Sequence, residues 1–121
     1  MIRLPPKRER LHSGIERGPQ RVFPRHRAWV RRHGCCVPGC QGMPIEFAHL
    51  RTAANSGVGL KPPDWCGISL CMAHHSLFHN VGHSTGAKQC GTSLGALLAI
   101  AVMFAERSPD KALREAMRQA Q

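Results

Sequence analysis

The chain is poor in acidic residues and has no long apolar run. Seven Asp and Glu residues stand against seventeen Lys and Arg residues, so the formal net charge is +10 over 121 residues. The N-terminal stretch MIRLPPKRER lacks the apolar core of a signal sequence, and the longest apolar run, Leu94 to Ala105, covers about half a bilayer. These absences argue against an exported or membrane-spanning protein, and we expect a cytoplasmic protein with no membrane partner.

The positive charge is concentrated towards the N-terminus. Ten of the seventeen Lys and Arg residues lie in the first 33 positions, where the only acidic residues are Glu9 and Glu16. Basic segments of this kind bind nucleic acids by releasing counterions from phosphates, and a solvated tail is the alternative interpretation. We predict a basic, partly disordered arm with a short helix around RHRAWVRR, and DNA as its partner. The side chains expected to contact DNA are Arg25, Arg27, Arg31, Arg32, Arg51 and Lys61.

The six cysteines could form three disulfide bonds in an exported peptide, but the histidines favour a bound metal. Five of the eight histidines lie in the same central stretch as the cysteines. A disulfide framework has no use for histidine, whereas thiolates and imidazoles at short spacing are typical ligands of zinc. The sequence therefore predicts metal ligation in place of disulfide bonds.

The segment SLCMAHHSLFHN carries two pairs of metal ligands on one predicted helix. Residues three or four apart lie on the same face of a helix, so Cys71 and His74 can bind one ion. His75 and His79 are four apart and can bind a second ion on a different face. The histidines of this segment are therefore divided between two sites.

A structural zinc site needs four ligands, commonly one pair from a turn and one pair from a helix. The turn CCVPGC supplies Cys40 together with either Cys35 or Cys36. Cys71 and His74 complete the set. We predict one structural zinc ion bound by Cys35, Cys40, Cys71 and His74, with Cys36 as the less favoured alternative to Cys35.

The segments around these ligands predict a small α+β domain. IEFAHL, residues 45–50, and WCGISL, residues 65–70, have the composition of short strands, and the ligand-bearing helix should begin near Cys71 and end by Gly82. Three regions follow along the chain: an arm over residues 1–33, a zinc-bound core over residues 34–91 and C-terminal helices over residues 92–121.

Two helices are predicted near the C-terminus. Residues 94–106 are rich in Ala and Leu, which indicates a buried helix. Ser108 and Pro109 have the order of an N-cap followed by proline at the first helical position, and they should begin a last, amphipathic helix. We expect both helices to pack on the core or to bind a partner.

Four motifs carry a family resemblance: CCVPGC, EFAHLRT, GVGLKPPDW and ISLCMAHHSLFHNVG. In this order they resemble the HNH endonucleases. The similarity is greatest to a small phage and prophage group that includes the Ref-like, recombinase-dependent recombination-enhancement nuclease. The resemblance covers residues 34–91 and implies a ββα-metal (HNH, His-Me finger) fold, in which two strands and a helix hold a divalent ion against the phosphate to be cleaved.

The resemblance also implies roles for individual histidines. His49 would be the general base that activates water, and His75 and His79 would hold a catalytic Mg²⁺ or Mn²⁺ ion. The family usually has Asp or His as a metal ligand immediately before the base, where this chain has Ala48. The expected activity is hydrolysis of phosphodiester bonds in DNA, with a recombinase filament as a further partner.

Two questions remain open at the level of the sequence. The middle residue of the HNH signature could be Asn55, in the loop between the strands, or Asp64, just before the second strand. A zinc-knuckle module that binds DNA or protein without catalysis is the alternative function, and Ala48 is the residue that favours it.

Overall fold

The computed structural model describes residues 20–52 and 61–120. Its elements form a two-stranded sheet with five helices, so the predicted α+β class is confirmed. In chain order they are α1 (Pro24–Val30), β1 (Ile45–His49), a 3-10 turn (Asp64–Cys66), β2 (Gly67–Cys71), α2 (Met72–Val81), α3 (His83–Gln89), α4 (Leu94–Arg107) and α5 (Lys111–Gln119).

The two strands pair antiparallel, with Ile45 opposite Cys71 and His49 opposite Gly67. The second strand begins two residues later than the sequence predicts, because Trp65 and Cys66 belong to the 3-10 turn. Gly67 is required where the ladder starts, since a Cβ atom there would collide with the ring of Phe47. The predicted order of strand, strand and helix is otherwise confirmed.

The sheet has one face against α2 and the other against α1. Side chains alternate between the faces of a strand, so Glu46 and Ala48 lie on one side and Phe47 on the other. Glu46 contacts His75 of α2, whereas the ring of Phe47 lies edge-on to His26 of α1 at a centroid distance of 6.2 Å. The two faces of β1 therefore contact different helices.

Helix α1 packs on the core, although it lies within the segment predicted as an arm. Phe23 at its N-cap and Val30 at its end are buried, and His26 between them is fully enclosed. The His26 Nδ1 atom lies 2.7 Å from the Ser108 hydroxyl, which connects α1 to the junction of α4 and α5. Residues 1–19 lie outside the described residues, so the rest of the arm stays a prediction.

Helix α4 is buried on one side only, which corrects the prediction of a buried helix. Leu97, Ala101 and Phe104 recur at helical spacing and join the core. Val102 and Met103 lie on the opposite side and are 49% and 37% exposed. The described residues around α4 therefore leave part of its apolar surface exposed.

The last helix begins at a different cap from the predicted one. The carboxylate of Asp110 accepts a hydrogen bond from the backbone N–H of Leu113, so Asp110 is the N-cap. The Ser108 hydroxyl contacts His26 and accepts from the Asp110 N–H, but the backbone of Asp110 is extended (φ −82°, ψ 100°), so the helix starts only at Lys111. The prediction of Ser108 as N-cap was wrong because the cap lies two residues later.

Within the described part of the chain, no helix taken alone has the length and apolarity to cross a membrane. Helices α3 and α4 reach the required length and composition only as a pair, and their axes bend by 103° at the break between them.

Candidate metal centres and catalytic histidine

Cys35, Cys40, Cys71 and His74 come together at one end of the sheet. Their ligand atoms all lie within 4.8 Å of one another, and no other group of three or more potential ligands among the described residues is so compact. The first two belong to the turn before β1, whereas Cys71 ends β2 and His74 lies in the first turn of α2. We call these four residues the zinc cluster.

The distances within the zinc cluster fit a tetrahedral ion. Zinc binds sulfur at about 2.3 Å and nitrogen at about 2.0–2.1 Å, so the edges of the tetrahedron are about 3.8 Å between two sulfurs and about 3.5 Å between sulfur and nitrogen. Cys40 Sγ lies 3.8 Å from Cys71 Sγ. Nδ1 of His74 lies 3.5 Å from Cys35 Sγ and 3.3 Å from Cys71 Sγ. The site could hold a metal ion with little movement of its side chains.

The backbone of the CCVPGC turn positions its thiols. Gly39 has a φ angle of 75°, in the left-handed region that glycine adopts without strain, and the chain turns there towards Cys40. The N–H of Gly42 donates to Cys40 Sγ over 3.3 Å, and this bond lowers the pKa of the Cys40 thiol. Burial raises the pKa of the Cys35 thiol to about 11. A bound cation is therefore needed to keep Cys35 ionised at neutral pH.

The choice between the adjacent cysteines is settled by their directions. The Sγ atom of Cys36 lies 3.4 Å from the Ser69 hydroxyl, and the Cys36 N–H donates to the Ser69 carbonyl over 2.9 Å. Cys36 is therefore turned towards β2, while Cys35 faces His74. The favoured prediction of Cys35 agrees with this geometry.

A second group of potential ligands lies on the α2 side of the sheet. The Glu46 carboxylate lies 2.8 Å from His75 Nδ1, and both side chains are partly exposed. His75 and His79, one turn apart, line an open surface pocket of about 360 Å³ together with Ser76 and Asn80. We call Glu46, His75 and His79 the histidine face.

Glu46 is a candidate ligand that the sequence reasoning missed. Ala48, at the position where the resembling family has a ligand, is 2% exposed and packs in the apolar core. Glu46 precedes it by two residues, so the alternation of a strand places both side chains on the α2 face. That period of two is the signal by which Glu46 could have been found from the sequence.

The junction of α2 and α3 lies next to the residues that follow β1. The backbone N–H of Arg51 donates to His83 Nδ1 over 2.7 Å, two residues after His49. Burial, followed by nearby positive groups, lowers the pKa of His83; those groups are Arg51, His75 and His79. His83 therefore lies near both the histidine face and the chain that follows His49, and the sequence reasoning gave it no such role.

His49 is the last residue of β1, and its ring lies on the α1 side. Its Nε2 atom is 2.8 Å from the Asp64 carboxylate, and the ring stands edge-on to Phe47 at 5.1 Å. Among the described residues, no hydrogen bond or ring contact joins His49 to His75 or His79. The three histidines therefore lie around the same small sheet without forming one contact cluster.

Of the two candidates for the middle residue of the HNH signature, Asp64 lies within the described residues. It is fully buried in the 3-10 turn and contacts His49 directly. The other candidate, Asn55, lies outside the described residues. The sequence placed Asp64 near the second strand but could not show which side chain it contacts.

Arg27 differs from the other five predicted DNA contacts. Its guanidinium group donates to the Asp64 carboxylate over 2.7 and 2.8 Å and lies 5.3 Å from the centre of the Phe47 ring. It is therefore committed to an internal ion pair and is not free for a phosphate. The remaining predicted contacts are exposed at the surface: Arg25, Arg31, Arg32, Arg51 and Lys61.

No protein-family model, curated protein or solved structure matches the chain. A functional assignment therefore depends on the chemistry of the zinc cluster, the histidine face and the pair formed by His49 and Asp64.

Proposed function

We propose that the chain is a metal-dependent DNA endonuclease of the HNH type, which hydrolyses phosphodiester bonds with water activated by His49. The observation that carries the proposal is the ββα arrangement: His49 ends β1 on a buried carboxylate, and His75 and His79 lie on the helix that follows β2. The phosphodiester class follows from the surrounding positive charge and the family resemblance.

In the proposed reaction, His49 Nδ1 takes a proton from water while the water oxygen forms a bond to phosphorus. The bond from phosphorus to the leaving oxygen breaks, and that oxygen takes a proton from solvent. A divalent ion, when bound, would polarise the phosphate and offset the charge on the leaving oxygen. His75 and His79 would hold this Mg²⁺ or Mn²⁺ ion, and Glu46 would supply the carboxylate that Ala48 cannot.

The zinc cluster has a structural role in this proposal. It connects the turn before β1, the end of β2 and the start of α2, which are the three segments that must stay in register for the histidines to meet a substrate. In a chain of this size the apolar core is small, and a four-ligand zinc site contributes directly to the free energy of folding. Three thiolates and one imidazole are ligands that favour Zn²⁺.

The exposed arginines support DNA as the substrate. Arg25 and Arg32 line a surface pocket of about 370 Å³ together with Trp29. Cationic side chains bind phosphates and give affinity without sequence information. We infer binding to the DNA backbone from this surface, and the family resemblance adds a phage or prophage origin and a recombinase filament as a partner.

A binding module without catalysis is the second candidate. Ala48 at the usual ligand position favours it, as does the looser arrangement of the histidine face compared with the zinc cluster. Such a module would need the zinc cluster and the arginines but would have no use for a histidine on a buried carboxylate.

The two candidates are separated by incubating supercoiled plasmid with the purified protein and Mg²⁺ or Mn²⁺, with EDTA as the control. The reaction is run with and without a recombinase filament. We expect nicking that EDTA abolishes and that His49→Ala lowers by about 10²–10⁴-fold, with zinc content unchanged. Wild-type protein that binds DNA and zinc but nicks under none of these conditions would leave the binding module as the better account.

A further inference from the structure

The Asp64 carboxylate is the buried centre of a hydrogen-bond network. Its side chain is fully enclosed, and its two oxygens accept from the Phe23 N–H over 2.6 Å, from Arg27 over 2.7 and 2.8 Å, and from His49 Nε2 over 2.8 Å. Burial alone would raise the pKa of this carboxyl group, but the bonds from His49, Arg27 and Phe23 lower it to about 2. Asp64 is therefore a carboxylate at neutral pH.

An ionised carboxylate can only accept hydrogen bonds, and this fixes the protonation of its neighbour. His49 must carry a proton on Nε2 in order to donate to Asp64. In the neutral ring the other nitrogen, Nδ1, then has a free lone pair. The contact with Asp64 thus selects the tautomer that can accept a proton from water at Nδ1.

Arg27 keeps Asp64 in place for this task. The guanidinium group makes a two-pronged contact with the carboxylate, the geometry that arginine favours with such groups. Its positive charge also compensates the buried negative charge. The charged or titratable neighbours of Asp64 are Arg27 and His26 from α1 and His49 from β1.

We propose that Asp64 is the positioning residue for His49, and that Arg27 of α1 locks Asp64 in the orientation this requires. The inference rests on the proposed nuclease function, because it assigns to His49 the role of base. It goes further by making α1, which lies in the predicted DNA-binding arm, part of the support of the reaction centre. Arg27 then acts on catalysis through Asp64, while Arg25, Arg31 and Arg32 remain available for DNA.

The first test needs no activity and uses the zinc-loaded wild-type chain. Long-range ¹⁵N–¹H NMR spectra distinguish the two neutral tautomers of each histidine ring. We expect His49 to carry its proton on Nε2 near neutral pH. A proton on Nδ1 would overturn the inference, because that ring could not both contact Asp64 as donor and take a proton from water at Nδ1.

The second test compares nicking by Asp64→Asn and by the wild type across pH. The neutral amide can present its NH₂ group to the imidazole and favour the opposite tautomer. We expect a fall of about 10²-fold in the nicking rate with DNA affinity and zinc content retained. The fall should be present at every pH tested, because it comes from the tautomer of the His49 ring. Glu115→Gln, which removes an exposed partner of Arg118 on α5, is the matched control and should change nothing.

An Asp64→Asn variant that is folded, holds zinc and nicks at the wild-type rate would refute the positioning role of Asp64 but not the nuclease proposal. Absence of nicking by the wild type would instead refute the nuclease proposal. If Asp64→Asn does not fold, Arg27→Lys provides the milder change, since lysine keeps the cation but gives up the two-pronged contact. It should lower the nicking rate by a smaller factor than Asp64→Asn, and an unchanged rate in a folded Arg27→Lys protein would overturn the locking role of Arg27.

Discussion

The zinc cluster and the histidine face use adjacent residues of the same helix in opposite ways. His74 belongs to the first and His75 to the second, about 100° apart around α2. The ligand atoms of the zinc cluster lie within 4.8 Å of one another, and Cys71 is 3% exposed. In the histidine face the side chains of His75 and Glu46 are 34% and 42% exposed. An ion held by the compact zinc cluster would be part of the fold, whereas the more exposed side chains of the histidine face could exchange an ion without consequence for the fold.

The largest effect should follow a change in the zinc cluster. Cys71→Ser removes a buried ligand, so we expect loss of both zinc and the cooperative unfolding transition, because about 10 kcal/mol or more of metal-binding free energy is linked to folding in sites of this type. Elemental analysis and thermal unfolding measure the two losses. Cys36→Ser, at the neighbouring cysteine that faces Ser69, should keep its zinc; a zinc-free Cys71→Ser protein with the wild-type transition would contradict the structural role.

The same kind of change in the histidine face should leave the fold intact. We expect His79→Ala to retain zinc and thermal stability but to weaken Mn²⁺ binding by about tenfold or more, equivalent to about 1.4 kcal/mol. Electron paramagnetic resonance of free Mn²⁺ measures that affinity directly. Nicking should recover in part at high Mn²⁺, whereas His49→Ala should not recover. Loss of zinc from His79→Ala would show that the two sites are not independent.

Glu46 tests whether the histidine face includes a carboxylate. Glu46→Gln keeps the shape of the side chain but removes its charge, so Mn²⁺ affinity should fall by about tenfold while zinc content stays the same. The matched control is Glu115→Gln, whose carboxylate lies on α5. Equal Mn²⁺ affinity in wild type and Glu46→Gln would remove Glu46 from the site and leave the two histidines as its protein ligands.

Surface arginines should affect DNA binding without affecting either metal site. Each phosphate contact contributes roughly one unit to the slope of log affinity against log salt concentration. We expect Arg25→Gln to lower that slope by about one unit at unchanged zinc content. Arg27→Gln is the variant to compare with Arg25→Gln. It should lower the free energy of unfolding, because it leaves the buried Asp64 without its guanidinium partner. An equal salt slope in Arg25→Gln and wild type would place the phosphate contacts elsewhere.

The smallest effect concerns pH and the buried His26. Burial lowers the pKa of His26, although the nearby carboxylates of Asp64 and Asp110 oppose this shift. The folded state therefore keeps His26 neutral, while the unfolded chain takes up a proton below about pH 6.5. Stability should fall with pH below that value, by at most about 1.4 kcal/mol per unit. Urea unfolding at pH 7 and 5.5 should show a smaller loss for His26→Asn than for the wild type; equal losses would contradict the assignment.

Features of this chain that depend on local chemistry could be predicted from its sequence, whereas features that depend on packing could not. The cysteine turn and the spacing along α2 were sufficient to predict the four members of the zinc cluster. The cap of α5 was predicted two residues too early, and the contact of Ser108 with His26, which lies 82 positions earlier in the chain, could not be read from the sequence. Arg27 was grouped with DNA contacts for a similar reason, since its partner Asp64 is 37 positions away.

The sequence by itself determined which ligands share a face of α2, because a helix turns by a fixed angle per residue and this angle does not depend on the rest of the molecule. It also determined the α+β composition and the excess of positive charge. Only the tertiary structure decided which carboxylate meets which histidine: Asp64 with His49 and Glu46 with His75, across 15 and 29 positions. The physical reason is that these contacts depend on which face of β1 each helix covers, and burial of the apolar core as a whole sets that arrangement.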